Sequence, residues 1–527
     1  MDIAREAARR RTFAIISHPD AGKSTLTEAL ALHTEMISEA GVTHGKAGRR
    51  ATVSDWMEME KARGISISST ALQMQYGDTV VNVVDTPGHA DFSEDTYRVL
   101  AAVDVAVMVL DAAKGLEPQT LKLFDVCRRS AIPVITVVNK WDRPALAPLE
   151  LLDQIQQRLG IVPTPVTWPI GIGGDFKGAL DLRSGDIVQY HRTAGGATIA
   201  GEDVLDRAAA LEAFGIDLET AEEEVELLAA DGMVHDQETF LSGRTSPVLF
   251  AAGLLNFGLT QLLEVLVDLA PAAADRREAD GSRRPVDAPF SAYVFKVQAG
   301  MDRNHRDHVA FARVCSGRFE RGDVVEQAAT KRSITTKYVQ SMFGRDRSRA
   351  DEAFPGDVIG LVNATGLRIG DTLRAQGERV EFPAIVRFAP EHFAEIRSAD
   401  VSRSKQFRRG MDQLDAEGVV QVLRNDARGD AAPVLAAVGP MQFEVVQDRL
   451  ANEFGAQTRL QRLDYSVARQ IDRKDVGLLA GTSGVEVFER SDGTTLVLFT
   501  DRWKIRSVER AHPDLELAVL AADVELA

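Results

Sequence analysis

Short apolar runs alternate with amphipathic stretches through the first 160 residues of the chain. Four runs are rich in β-branched residues and bounded by turn signals, as strands are: residues 12–16, 79–85, 105–111 and 132–139. Three stretches have helical periodicity: residues 23–32, 117–129 and 148–160. This alternation predicts a parallel sheet with helices on both faces, and such sheets bind ligands at the carboxyl ends of their strands.

The pattern changes after residue 160 and indicates further units. Residues 161–245 have an irregular pattern that becomes acidic and helical, which predicts an insert in the first domain. A predicted helix at 260–270 then closes that domain. Residues 270–289, rich in Pro, Ala and charge, are typical of a linker. Alternating strands with turn glycines then predict a small β-barrel, and mixed patterns predict a final α+β domain. The expected domains are 1–279, with the insert at about 161–245, then 280–383 and 384–527.

The composition is that of a globular protein with several domains. The chain has 527 residues, more than one core accommodates, and 45% are hydrophobic. The net charge of −17 argues against a surface that coats nucleic acid as a whole. Arginine-rich runs at 303–313, 331–349 and 403–409 could still form local basic faces, or simply be solvated. Two cysteines, no secretory h-region and no apolar run of about 20 residues predict a cytoplasmic protein.

Residues 17–25, SHPDAGKST, nearly match the phosphate-binding loop, but Ser17 stands where that pattern has glycine. Because the loop follows a predicted strand and opens a predicted helix, it would direct backbone N–H groups at a phosphate. Lys23 would neutralise the β and γ phosphates, and Ser24 would bind Mg²⁺. The candidate nucleotide-binding residues here are Ser17, His18, Pro19, Asp20, Ala21, Gly22, Lys23, Ser24 and Thr25. Taken alone, the motif is equally compatible with a loop that binds nothing.

Two further motifs follow predicted strands, in the order that a GTP site requires. VVDTPGHADF, residues 83–92, would supply Asp85 for Mg²⁺ through water and the Gly88 N–H for a γ phosphate. In NKWD, residues 139–142, Asp142 would accept both N–H groups of the guanine edge, which adenine does not offer. The candidates are Asp85, Thr86, Pro87, Gly88, Asn139, Lys140 and Asp142, with Asn139 and Lys140 supporting the loop. Three such elements in this order make chance a poor explanation.

Residues 60–69, EKARGISISS, lie between the loop and Asp85, where a nucleotide-sensing switch belongs. Ser66 could complete the Mg²⁺ shell when GTP is bound, or could be an ordinary hydroxyl at the start of a strand. The candidate Mg²⁺ ligands are therefore Ser24, Ser66 and Asp85.

Together these motifs resemble the translational GTPases, the family of elongation factor G, elongation factor Tu and LepA, and within it the release factor 3 branch. The closer resemblance is carried by the form SHPDAGK, by serine instead of threonine at 66, and by residues 295–322, 343–361, 366–373 and 439–450; it covers nearly the whole chain. The resemblance implies a multidomain fold: an α/β P-loop GTPase domain with an inserted subdomain, then a translation-factor β-barrel, then an α+β domain.

The resemblance also implies roles for single residues. His89 would orient the attacking water, and Pro19 and Ile65 would form an apolar gate beside it. Members of the family read guanine O6 with a backbone N–H in a serine–alanine turn. The aligned turn of this chain has Ala252 in place of the serine and Gly253 as the donor.

The implied activity is ribosome-stimulated hydrolysis of GTP to GDP and phosphate with Mg²⁺ as cofactor, which promotes dissociation and recycling of codon-reading release factors after peptide release. The implied partners are those release factors and both ribosomal subunits, including ribosomal RNA at the factor-binding region. The protein would act as a monomer, without DNA or a membrane. Two alternatives stay open: another ribosomal GTPase, such as an elongation or ribosome-protection factor, and a GTP-gated ribosome-binding module that does not hydrolyse GTP. The lack of a far-C-terminal domain opposes the first, and His89 opposes the second.

Overall fold

The protein is described by a computed structural model over residues 2–34, 36, 68–193, 198–299, 308–337, 339–343, 346–349, 351–364, 366–385, 389–425, 428–429 and 431–520. Within these ranges the chain forms three successive regions that meet at shared junctions.

The first region is an α/β unit whose strands alternate with helices. Its strands are β1 (Arg10–Ser17), β2 (Thr70–Tyr76), β3 (Thr79–Asp85), β4 (Val105–Asp111), β5 (Val134–Asn139), β6 (Val162–Pro165), β7 (Thr167–Ile170), β8 (Gly178–Asp181), β9 (Ile187–His191), β10 (Gly201–Leu205) and β11 (Thr245–Phe250). Its helices are α1 (Ile3–Ala8), α2 (Lys23–His33), α3 (Ser93–Leu100), α4 (Pro118–Arg129), α5 (Pro148–Leu159), α6 (Arg207–Phe214), α7 (Ile216–Ala230), α8 (Gln237–Leu241) and α9 (Leu259–Asp268).

A parallel sheet in the order β3-β1-β4-β5-β11-β6 forms the centre of this region, with β2 antiparallel at the β3 edge. Every residue of β4 is buried, as expected for a parallel strand covered on both faces. Alternate residues of β1 enter opposite cores: Phe13 and Ile15 face α2 and α9, whereas Ala14 and Ile16 face α4 and α5. Strands β7 to β10 form a separate antiparallel sheet, followed by α6 to α8.

The second region is a β-barrel built from short antiparallel strands. Its strands, with the hairpin that precedes them, are β12 (Arg276–Arg277), β13 (Arg283–Arg284), β14 (Ser291–Ala299), β15 (His308–Ser316), β16 (Phe319–Glu320), β17 (Val324–Gln327), β18 (Arg332–Thr335), β19 (Val339–Phe343), β20 (Asp346–Arg349), β21 (Glu352–Ala353), β22 (Val358–Val362) and β23 (Thr372–Ala375). Strand β19 pairs with β2, so the sheet continues into the first region.

The stretch expected as a linker is a packed hairpin. Strands β12 and β13 pair with each other, and the buried Arg284 donates to Ser316 Oγ at 2.8 Å and to Glu378 at 3.0 Å. Its Pro-, Ala- and charge-rich composition was misleading because arginine side chains find acceptors on the neighbouring barrel.

The third region has α+β architecture. Its strands are β24 (His392–Ser398), β25 (Gln421–Arg424), β26 (Val434–Ala437), β27 (Thr458–Leu463), β28 (Val467–Gln470), β29 (Val485–Arg490) and β30 (Thr495–Phe499), and its helices are α10 (Ser404–Ala416), α11 (Met441–Phe454) and α12 (Arg502–Ala511). The strands form one antiparallel sheet in the order β27-β24-β26-β25-β29-β30-β28. Helices α10 and α11 cover one of its apolar cores.

Buried polar contacts join the first region to the barrel. Arg10 Nε lies 2.8 Å from Asp357 Oδ2, and Thr12 Oγ1 donates to the Gly356 carbonyl at 2.7 Å. Burial raises the pKa of Asp357, although Arg10 opposes that shift. Arg313 of the barrel also reaches Asp104 at 2.6 Å. Separating Arg10 from Asp357 would leave a buried charge without its partner, which is costly. The pair therefore helps to fix the relative position of the two regions.

Candidate nucleotide site

The loop between β1 and α2 has the geometry of a phosphate-binding loop. Gly22 precedes α2 with φ of +95°, a conformation that glycine adopts readily, and a Cβ there would lie 2.5 Å from Asn139 Nδ2. Ala21 is buried, and Ser24 and Thr25 lie in the first turn of α2. The first N–H groups of a helix point outward along its axis, and this makes the loop suited to an anion.

Ser17, at the position where the motif has glycine, contacts the loop lysine. Its side chain is fully buried and accepts a hydrogen bond from Lys23 Nζ at 3.0 Å, while its own hydroxyl donates to the His18 carbonyl at 2.6 Å. The serine thus offers the buried ammonium an acceptor that glycine lacks.

His18 faces charged residues that the motifs do not include. Its Nε2 contacts the Glu117 carboxylate and lies 3.4 Å from Lys114 Nζ. Burial, together with the charges of Lys114 and Lys23, lowers the pKa of His18 to about 4. The imidazole is therefore neutral at pH 7.

The DTPGH segment leaves β3 directly against the loop. Asp85 ends β3 and is buried, and Thr86 Oγ1 donates to the Ile15 carbonyl of β1 at 2.6 Å. The Pro87 carbonyl accepts from Thr96 of α3 at 3.3 Å. Gly88 packs closely against the loop, since a Cβ there would meet the Lys23 ammonium group and lie 3.3 Å from Pro19 Cα. The two segments therefore meet where a phosphate would be held.

His89 lies at the edge of this meeting point. It precedes the 3₁₀ turn Ala90–Phe92, and one third of its side chain is exposed. Its Nδ1 lies 3.3 Å from the Asp91 backbone nitrogen and 3.2 Å from Asp91 Oδ1. The same ring nitrogen therefore has a donor and an acceptor within reach.

The NKWD segment supports the loop from the far side. Asn139 Nδ2 donates to the Ala21 carbonyl at 2.9 Å, and Lys140 Nζ donates to the Asp20 carbonyl and pairs with Asp111 at 2.8 Å. The expected buttressing contacts are thus present. Burial raises the pKa of Asp111, but hydrogen bonds from Lys140 and the Ala113 amide outweigh it, and the pKa is lowered.

Asp142 and the 252–253 turn complete this side of the site. Asp142 is mostly buried, with Arg143 Nε 3.9 Å from its carboxylate. Ala252 is fully buried, and the Gly253 N–H donates to Asn139 Oδ1 at 3.0 Å. The Gly253 N–H, which is expected to read guanine O6, therefore donates to the Asn139 side chain in this structure. On binding guanine it would either donate to both oxygens or leave Asn139.

Ser66 and Ile65 lie outside the described residues. The chain that follows them is anchored on two sides. Ser69 N donates to Asp95 of α3 at 2.7 Å, and Lys296 of β14 donates to Ser68 Oγ at 2.6 Å and to the Ser69 carbonyl. The end of the expected switch is thereby joined to the barrel.

Sequence reasoning missed the residues that act on the motifs from elsewhere in the chain. They are Lys114 and Glu117 beside His18, Asp111 beside Lys140, Asp91 beside His89, and Lys296 beside Ser68. Asp91 stands within the quoted DTPGHADF motif, so the motif itself could have drawn attention to it; the others carry no local signal.

Comparison with known proteins assigns each region to a family. The description "Elongation factor Tu GTP binding domain" matches residues 8–272, "Elongation factor G domain 2" matches 289–376, and "Class II release factor RF3, C-terminal domain" matches 382–509. A protein of Synechococcus elongatus named "Peptide chain release factor 3" is 45% identical over 99% of this chain and 94% of its own length.

The chain belongs to the peptide chain release factor 3 family of translational GTPases. Further members, from Gloeothece citriformis and Symbiobacterium thermophilum, are each 44% identical, over 99% and 97% of this chain and 97% and 98% of their own lengths. A crystal structure from Thermus thermophilus has the same fold, with a TM-score of 0.69 at 23% identity over 88% of this chain and 69% of that one. The first region is therefore a GTPase domain that binds guanine nucleotide. In the part of the chain that the structure describes, no helix is long and apolar enough to cross a membrane.

Proposed function

We propose that this chain is a ribosome-stimulated GTPase of translation termination, which promotes dissociation and recycling of codon-reading release factors after peptide release. The observation that carries the proposal is the convergence of three strand ends on one loop. Asn139 and Lys140 hold the loop backbone, and Gly88 lies against Lys23. The family match over residues 382–509 supports a role in termination rather than in elongation.

In this proposal the loop exchanges internal contacts for contacts with the nucleotide. Lys23 would leave Ser17 Oγ for the β and γ phosphates, and the Gly88 N–H would bind the γ phosphate. Asp142 would accept two N–H groups of guanine. The remaining loop residues would shape the phosphate cradle: Ser17, His18, Pro19, Asp20, Ala21, Gly22 and Thr25, with Thr86, Pro87, Ala252 and Gly253 around it.

The donor set also fits the expected metal ion. A hydroxyl and a carboxylate are oxygen donors of the type that Mg²⁺ prefers, so Ser24 and Asp85 would hold it, with Ser66 as a further candidate. The ion would neutralise charge on the phosphate oxygens during hydrolysis.

Hydrolysis needs an oriented water and neutralisation of developing charge. His89 would orient the water, and Lys23 would supply part of the charge. The three motifs contain no arginine that could act as a finger in cis. We therefore expect slow intrinsic hydrolysis and acceleration by the ribosome, an effect of about 10³–10⁵ in comparable GTPases activated in trans.

Exposed basic residues on the third region offer contacts for ribosomal RNA. At the start of α10 the exposed side chains are Arg403, Lys405, Arg408 and Arg409. Phosphate contacts of this kind weaken as salt rises, so ribosome binding should do the same.

Release-factor recycling on purified ribosomes tests the proposal. With ribosomes stalled after peptide release, the protein and GTP should accelerate departure of a labelled codon-reading release factor, whereas Lys23→Met should not, because the phosphates lose their cation. Lys122→Met, on the exposed face of α4, is the matched control and should behave as the unmodified protein. Equal departure rates with and without the protein would contradict the proposal.

A further inference from the structure

Asp91 faces two parts of the molecule at once. Its Oδ2 accepts a hydrogen bond at 2.7 Å from the backbone nitrogen of Met441, 350 residues later, at the start of α11. Its Oδ1 lies 3.2 Å from His89 Nδ1. The side chain is only 12% exposed. One nearly buried carboxylate therefore connects the proposed water-orienting histidine with a helix of the third region.

The start of α11 is shaped to receive this carboxylate. The residue before the helix is Pro440, whose side chain cannot cap it, so Asp91 accepts one of the first N–H groups from outside the helix. A negative charge at this end of a helix is also electrostatically favourable. Gly439 leaves the space for it, because a Cβ at that position would overlap the Asp91 carboxyl group.

Neighbouring contacts hold the same junction together. Phe92, the next residue after Asp91, is buried with Val445 of α11. Arg98 of α3 donates to the Gly418 carbonyl at 3.1 Å, behind α10. The turn after His89 and the helix that follows it are therefore both docked on the third region, and the turn cannot shift alone without breaking these contacts.

We infer that Asp91 is a positioning residue for GTP hydrolysis, through which the docking of the third region sets the orientation of His89. The inference rests on the proposed function, because it gives a role to His89 that only a GTPase needs. A movement of the third region on the ribosome would reach His89 through this carboxylate, whose two oxygens lie 2.7 Å from the Met441 nitrogen and 3.2 Å from His89 Nδ1.

A purely structural cap makes different predictions from a positioning contact. Loss of a structural cap lowers stability and, with it, nucleotide affinity. Loss of a positioning contact lowers kcat for ribosome-stimulated hydrolysis while KM for GTP and affinity for GDP stay unchanged.

The variant Gly439→Ala distinguishes a structural cap from a positioning contact, because its methyl group fills the space of the Asp91 carboxylate without altering Asp91. The backbone at Gly439 is not in the left-handed region, so alanine fits it. Gly477→Ala is the matched control in the same region, with open space around its Cβ and a similarly tolerant backbone. We expect Gly439→Ala and Asp91→Ala to lower kcat by about 10- to 100-fold, the range that misplacement of a catalytic group can cost. Asp91→Asn should retain part of the rate, because its amide oxygen can still accept from Met441.

The double variant Asp91→Ala/Gly439→Ala completes the test. If both changes break one contact, the double variant hydrolyses GTP no more slowly than the slower single variant. Three results would overturn the inference, provided that ribosomes stimulate the unmodified protein. The rate losses of the two single variants could multiply in the double variant, the affinity for GDP could collapse, or Gly439→Ala could hydrolyse GTP as fast as Gly477→Ala. Failure of ribosomes to stimulate the unmodified protein would instead refute the proposed function, and this inference with it.

Discussion

Ser17 explains how a loop that departs from the glycine pattern can still serve a phosphate site. Its hydroxyl accepts from Lys23 at 3.0 Å and is buried with it. Because the Ser17 hydroxyl is neutral, release of Lys23 from it to a phosphate leaves no charge behind on the serine. The departure from the motif is therefore compatible with nucleotide binding.

Asp142→Asn should change which base the site prefers. A carboxylate accepts two N–H groups from guanine, whereas an asparagine amide offers one acceptor and one donor, which suits the extra carbonyl of xanthine. Loss of a hydrogen bond to a charged group costs about 1.5–3 kcal/mol, so affinity for GTP should fall by about 10- to 100-fold while affinity for xanthosine triphosphate rises. Competition binding measures both, with Asp153→Asn on the exposed face of α5 as control. An unaltered preference would remove the base-reading role of Asp142.

Motifs in the sequence were sufficient to find most residues of the candidate site. The loop, DTPGH and NKWD each follow a strand whose end could be predicted, and the structure brings them together. Lys114 and Glu117 could not be found in this way, because a lysine and a glutamate in a loop carry no signal until folding places them beside His18.

At the scale of elements, the buried strands were the easiest to predict. Residues 79–85 and 105–111 are strands with the predicted bounds, since continuous apolar, β-branched runs between turns have few alternatives. The hairpin β12–β13 was missed, because two-residue strands give no periodicity and the contacts of Arg284 with Ser316 and Glu378 join residues far apart in the sequence.

At the scale of elements, the contact between Lys296 of β14 and the segment before β2 can be tested directly. The buried Lys296 ammonium holds Ser68 and Ser69, so Lys296→Met would leave buried acceptors unsatisfied, at a cost of about 1–3 kcal/mol. Amide hydrogen exchange in β2 should then become faster by about tenfold or more. Lys122→Met, with its side chain in solvent, should leave exchange as it is. Unchanged exchange in the Lys296 variant would mean that the barrel does not hold this segment.

At the scale of the whole molecule, the three regions converge on the segments around the nucleotide. The barrel reaches them through Lys296, and the third region through the Met441 amide. Such contacts join residues hundreds of positions apart, as Thr12 and Gly356 are, and no local pattern encodes them. Resemblance to a family could supply the order of the regions, but only the structure shows which side chains connect them.

Multiple-turnover phosphate release from GTP, with and without ribosomes, tests the central claim most directly. The unmodified protein should be slow alone and strongly stimulated by ribosomes. His89→Ala should bind GTP with nearly the same affinity and lose about 100-fold or more of the stimulated rate, the contribution of a well-placed catalytic side chain. His191→Ala, in β9 and outside the site, should retain that rate. Loss of GTP affinity in the His89 variant, or an unmodified protein that ribosomes do not stimulate, would contradict the account.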